Sequence, residues 1–202
     1  MAETIETVAP GEAPAAAKPT ASVDDLVRRV DELAAQVAEL KAAAPEDRLT
    51  LGLLSGDLDK TMAAFIVALG ARVYDTEVDM FVTFWGTAAF RDRHKQVDKG
   101  ALDRMFGIML PHGTTQLPLS RMQMLGIGPK MIRKVMADRG VASLEDLIRQ
   151  AGEMGVRVHI CSMTMGVMGM KEEEMMDYPG MDYVGVGQFV DMMQRSRHCW
   201  FF

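Results

Sequence analysis

The sequence predicts a three-layer α/β/α domain built on a mainly parallel sheet of about five strands. Three observations carry that expectation. Short apolar runs alternate with helix-period segments from residue 47 to the C-terminus. The first run, the helix after it and the next run make a β-α-β unit, which implies parallel strands. The run Leu49-Thr50-Leu51-Gly52-Leu53-Leu54 lacks the polar alternation of a half-exposed strand, as expected when helices cover both faces. With 202 residues, 49% hydrophobic and 25% charged, the chain has material for one sizeable core plus an appendage.

In chain order, residues 1–21 are rich in Ala, Pro, Glu and Thr and hold too few large apolar groups to offset ordering entropy, so a disordered tail is expected. Residues 22–44 read as a short coiled-coil helix. Val23, Leu26, Val30, Leu33, Val37 and Leu40 step alternately by three and four, and Ser22 suits the N-cap. A helix this short needs a partner, either another protomer or its own domain. The turn Pro45-Glu46-Asp47 leads into a domain expected over 47–202. Strands are expected at 49–54, 78–85, 156–161, 183–186 and 199–202. Leu58, Met62, Phe65, Ile66, Leu69 and Val73 mark the first domain helix. Further helical patterns run near 101–110, 129–139, 144–154 and 188–197, with a Pro-rich connection over 111–120.

A net charge of −6 argues against a nucleic-acid partner, which would require a basic face. The opening Met1-Ala2-Glu3-Thr4 is acidic where a secretory signal is basic and then apolar. The most apolar stretch, 62–71, is far short of the roughly 20 residues of a membrane span, so no transmembrane segment is expected. Two cysteines, Cys161 and Cys199, make no disulfide framework, and free thiols in a reducing cytoplasm are expected.

Cys161 is the candidate nucleophile. It ends an apolar strand run and opens a Gly-punctuated turn, at the strand end where open α/β sheets gather ligands and where a following helix lowers a thiol pKa. The loops after the strands are expected to converge, giving a pocket of Ser55, Gly56, Asp57, Trp85, Gly86 and Ser162 beside Cys161, with Ser55 or Asp57 capping the first helix. The competing reading is a packed cysteine. His159 lies two residues back on the same strand face, as a base for the thiol or as a buried strand histidine. Met163, Met165, Met168 and Met170 would suit Cu(I), although with 19 methionines in the chain adaptable packing is the simpler role. The four histidines have no zinc-ligand spacing with either cysteine, and Walker A and dinucleotide fingerprints are absent, so neither a metal nor another cofactor is expected.

Several motifs, in order, carry a family resemblance. Leu53-Leu54-Ser55-Gly56-Asp57-Leu58-Asp59-Lys60, Met80-Phe81-Val82-Thr83-Phe84-Trp85-Gly86, Leu117-Pro118-Leu119-Ser120-Arg121-Met122, Gly126-Ile127-Gly128-Pro129-Lys130-Met131 and the Cys161-Ser162-Met163 turn resemble the DsrE/DsrF/DsrH-like proteins over about 47–202. The closest subgroup is the larger DsrE-like one, often labelled peroxiredoxin-like. The sequence context of a peroxidatic cysteine is missing. The resemblance implies a cytoplasmic sulfur carrier in which a strand-end cysteine, here Cys161, holds sulfane sulfur as a persulfide and passes it to a TusA-like or rhodanese-like partner. It implies a pocket near Asp57, Trp85 and Lys130 without assigning roles. On this reading the 111–131 segment screens Cys161, the heptads favour a homo-oligomer, and peripheral membrane attachment stays open. The alternatives are a non-enzymatic assembly protein with a structural Cys161, and a Cu(I)-handling protein using Cys161 and the neighbouring methionines.

Overall fold

A computed structural model describes residues 22–95 and 97–202; the tail expected to be disordered lies outside them. The chain divides between Ala44 and Pro45 into two compact units. In the first, α1 (Val23–Ala43) starts at Ser22, whose Oγ accepts the Asp25 N–H at 3.1 Å, and Asp24 and Asp25 place negative charge at the positive end of the helix dipole. None of its residues is buried.

The second unit is the expected α/β/α domain. Strands β1 (Glu46–Leu53), β2 (Glu77–Val82), β3 (Arg157–Cys161), β4 (Met181–Val184) and β5 (Ser196–Phe201) form one sheet in the order β4-β3-β2-β1-β5. Every pairing is parallel; Leu51 lies opposite Met80 and Trp200, and Phe81 opposite His159. Parallel neighbours require a crossover. α2 (Leu58–Val73) supplies the first, and α3 (Ala101–Met109), α4 (Ile127–Asp138) and α5 (Leu144–Glu153) lie between β2 and β3. α2 and α5 pack on each other, and the stripes Leu58, Met62, Phe65, Ala68 and Leu144, Leu147, Ile148, Ala151 share one core with Leu51, Leu53, Met80, Val82, Val158 and Ile160.

Side chains alternate along a strand, so Phe81 and Cys161 face the other way from Met80, Val82 and Ile160. From β4 at one edge the chain returns to lie beside β1, and a right-handed crossover in that reversed direction sends α7 (Val186–Arg195) to the opposite face. There Phe189 covers a smaller cluster of Phe81, Cys161 and Val184. α6 (Ser162–Val167) follows β3 directly. The long β2–β3 connection is pinned by buried Arg91, which donates to Glu174 Oε2 at 3.1 Å and to the carbonyls of Gly107 and Pro111.

Strand boundaries differ from the sequence expectation in several places: β1 begins at Glu46 instead of 49, β4 spans Met181–Val184 instead of 183–186, and the end of β2 and the start of β5 differ for identifiable reasons. The strand expected over 78–85 stops at Val82, because Phe84 takes left-handed backbone (φ 47°) and Phe84–Phe90 winds into a largely buried 3-10 helix. An apolar run alone does not separate those outcomes. β5 starts at Ser196 instead of 199, where the Ser196 hydroxyl meets Thr50 Oγ1 at 2.7 Å and donates to Met192 O, joining α7 to the strand without a loop. No helix among the described residues is long and apolar enough to cross a membrane.

Phe65 has no exposed surface, whereas Ile66 on the outer side of α2 is 54% exposed. Phe65→Ala is expected to cost about 3–5 kcal/mol in urea unfolding, and Ile66→Ala about 0.5 kcal/mol or less.

Candidate functional site

The three strand-end loops expected at one crevice divide between the two faces of the sheet. Ser55, Gly56 and Asp57, after β1, and Trp85, after β2, line an open and mainly apolar cavity of about 550 Å³, walled also by Leu54, Leu110, Pro111, Pro118 and Phe202. It lies outside the carboxyl ends of β1 and β5, where the strand order reverses. Close packing of the two loops explains their glycines: a Cβ on Gly56 would come within 2.5 Å of Trp85 O, and one on Gly86 within 2.7 Å of Leu53 O. Gly86 accordingly packs between the loops and does not line the cavity.

Asp57 occupies the N-cap position of α2, but its side chain does not cap. Its carboxylate accepts from Ser55 Oγ at 2.7 Å and pairs with Lys60 at 2.9 Å. Pro118 O takes the Leu58 N–H at 2.7 Å, and Asp59 takes the Ser120 N–H at 2.9 Å. The Pro-rich connection therefore closes over the start of α2 and walls this cavity, where the sequence reading had it screening Cys161.

Cys161 lies on the α7 side, and neither it nor Ser162 lines the cavity. Cys161 is 1% exposed, packed with Phe81, Val184, Phe189 and Met193. Phe189 stacks on Phe81 with centroids 4.3 Å apart and meets Phe201 edge-on at 5.8 Å. Ser162 donates to Val184 O at 3.2 Å, tying the start of α6 to the end of β4. As the last residue of β3, Cys161 is also the N-cap of α6, although its sulfur closes no conventional cap hydrogen bond. Burial alone would push the thiol pKa up. The N–H and hydroxyl of Thr164, the hydroxyl of Thr83 and the Met163 N–H outweigh it and hold the thiol below its ordinary value. The two hydroxyls lie 2.8 Å apart, so one donates to the other and a single hydroxyl proton is left for the sulfur, while the strained Phe84 backbone directs its N–H onto Thr164 Oγ1 at 3.1 Å.

The model of the DsrE/DsrF/DrsH-like family matches residues 45–201, nearly the whole second unit. The chain belongs to this family. The uncharacterized protein YrkE of Bacillus subtilis (strain 168) is 46% identical over 144 residues, which cover 71% of this chain and 89% of YrkE. The sulfur carrier protein DsrE2 of Allochromatium vinosum is 28% identical over 158 residues, 76% of this chain and 97% of DsrE2. α1 lies outside the span matched by the family.

In this DsrE-like chain His159 is occupied elsewhere. Its Nδ1 lies 2.5 Å from Asp182 Oδ1 and its Nε2 3.2 Å from Asp79 Oδ1, an arrangement satisfied by an imidazolium donating from both nitrogens. Neither nitrogen is left to take a proton from Cys161. Burial pushes the His159 pKa down, but Asp79 and Asp182 outweigh it and hold the pKa above the usual 6.5. Burial would raise Asp79, yet His159, Arg48 and Arg157 hold it well below the usual range. These side chains form a ladder across the sheet on the same face as Cys161, toward the amino ends of the strands.

Thr83 and Thr164 escaped the sequence reading. The available signal was local: with Cys161 as N-cap, Thr164 falls at the third helical position, where side chains fold back on the cap. Three of the four methionines after Cys161 (Met165, Met168 and Met170) are buried in the main core, and Met163 is exposed. Cys199 sits half-buried on the edge strand β5, its thiol pushed up by burial.

Thr164→Val is expected to slow iodoacetamide alkylation of Cys161 about tenfold near pH 7, the worth of one hydrogen bond to a charged group, while leaving the rate at high pH unchanged. A rate lowered equally at all pH values would trace the effect to access instead. The charge ladder sets a stability window. Asp79, with its depressed pKa, contributes stability that is present above 3.8 and lost as pH falls. His159, with its raised pKa, contributes fully below 6.5 and less as pH climbs through its folded value. The urea midpoint is therefore expected to peak between those limits, and His159→Asn to flatten its alkaline decline.

Proposed function

We propose that this protein carries sulfane sulfur as a persulfide on Cys161 and passes it to a partner protein in sulfur metabolism. The observation that carries the reading is a single thiol at the carboxyl end of β3, held below its ordinary pKa by Thr164 and Thr83. Membership of the DsrE/DsrF/DrsH-like family and likeness to a protein named as a sulfur carrier support it. The thiolate attacks the outer sulfur of a donor persulfide R–S–S⁻, the Cys161–sulfur bond forms as the donor bond breaks, and R–S⁻ leaves. Attack by an acceptor thiolate on the outer sulfur reverses the step and regenerates Cys161. The partner is a TusA-like or rhodanese-like protein, and the carrier works as a homo-oligomer in the cytoplasm, where both thiols stay reduced.

Loading requires Cys161 to be uncovered from its cluster with Phe81, Val184, Phe189 and Met193. The 1% exposure of Cys161 favours a second reading, a packed structural thiol in an assembly protein. Mass spectrometry after incubation with polysulfide, or with thiosulfate and a rhodanese, separates the two. A one-sulfur adduct is expected on the wild type and on Cys199→Ser, and none on Cys161→Ser. An adduct that survives Cys161→Ser sinks the proposal, and an unmodified wild type favours the structural thiol.

A further inference from the structure

α1 is apolar on one side, and none of its residues is buried among the described residues. Its six seam residues, Val23, Leu26, Val30, Leu33, Val37 and Leu40, are 48–75% exposed, and most helical stability in proteins comes from packing such an amphipathic face. The helix is outside the family match, so it is an addition to the sulfur-carrier fold and not part of its core. We propose that α1 pairs with α1 of a second copy of this chain as a parallel two-stranded coiled coil, independently of what Cys161 does.

The seam has a specific composition. Its a positions are all valine (Val23, Val30, Val37) and its d positions all leucine (Leu26, Leu33, Leu40), the β-branched-at-a, leucine-at-d pattern that favours two parallel strands. The acidic residues and Arg28 fall at b, c and f, away from the seam. At the flanking e and g positions the charges are Arg29 and Lys41. In parallel register a g side chain faces the e side chain five residues further on in its partner, which sets Arg29 against Ala34 and Gln36 against Lys41. No like charges meet, and the Gln36 amide oxygen is an acceptor for the Lys41 ammonium group.

The test uses the full-length chain. Leu33→Cys, at d, is expected to form an interchain disulfide on mild oxidation, and Arg28→Cys, at the outer f position, is not; the native thiols are the same in both. By sedimentation, Leu33→Lys is expected to halve the mass of the wild-type assembly while the circular dichroism of the α/β domain persists. A mass that Leu33→Lys leaves unchanged overturns the proposal, as does equal cross-linking at 28 and 33. A halved mass without cross-linking at 33 overturns the parallel register.

Discussion

Five strands running in one direction constrain everything else in the domain. Parallel strands place all their carboxyl ends on one edge, and each connection must cross a face to return. Right-handed crossovers put α2 and α5 on one face, and the reversal from β4 to β5 puts α7 on the other. The carboxyl edge therefore offers two settings. One is the apolar cavity beside the start of α2, and the other is the thiol beneath α7. They share the Phe84-Trp85 turn, whose first residue braces Thr164 and whose second walls the cavity.

The α7 face is chemically graded. Toward the amino ends of the strands it carries Arg48, Asp79, Arg157, His159 and Asp182, each charge matched by a neighbour across the sheet. Toward the carboxyl ends it turns to Phe81, Cys161, Val184 and Phe189. Asp79 and His159 are buried at the centre of this ionic network while Arg157 and Asp182 are half exposed, and removing the partner of a buried charge costs more than replacing the pair. The value of the network here is registry: the ladder climbs stepwise from β1 through β4, in the register that carries Cys161 one residue past the end of β2 and sets it opposite Val184 of β4.

Much of this was legible in the sequence. The β-α-β opening, the placement of Cys161 at a strand end and the helix stripes of α2 and α5 follow from periodicity. Periodicity does not tell the two faces apart, however. Cys161 and His159 share a face by parity, but which helices cover that face depends on strand order, which the sequence does not print. The expected single crevice split for that reason. The end of β2 was missed because Phe84-Trp85-Gly86-Thr87-Ala88-Ala89-Phe90 is as apolar as a strand, and only the left-handed turn at Phe84 diverts it. Thr164 carries a local signal at the third position of α6, but Thr83 gains its meaning only from Thr164, 81 residues away in sequence and 2.8 Å away in space.

The junction between α7 and β5 has a mechanical consequence. Arg195 ends the helix and Ser196 begins the strand, with the Ser196 hydroxyl tied to both Thr50 and Met192. The helix that hides the sulfur therefore cannot swing alone, because its far end is sewn to the sheet. Any force that lifts Phe189 also pulls on the outermost strand, where Trp200 and Phe201 stand half in solvent.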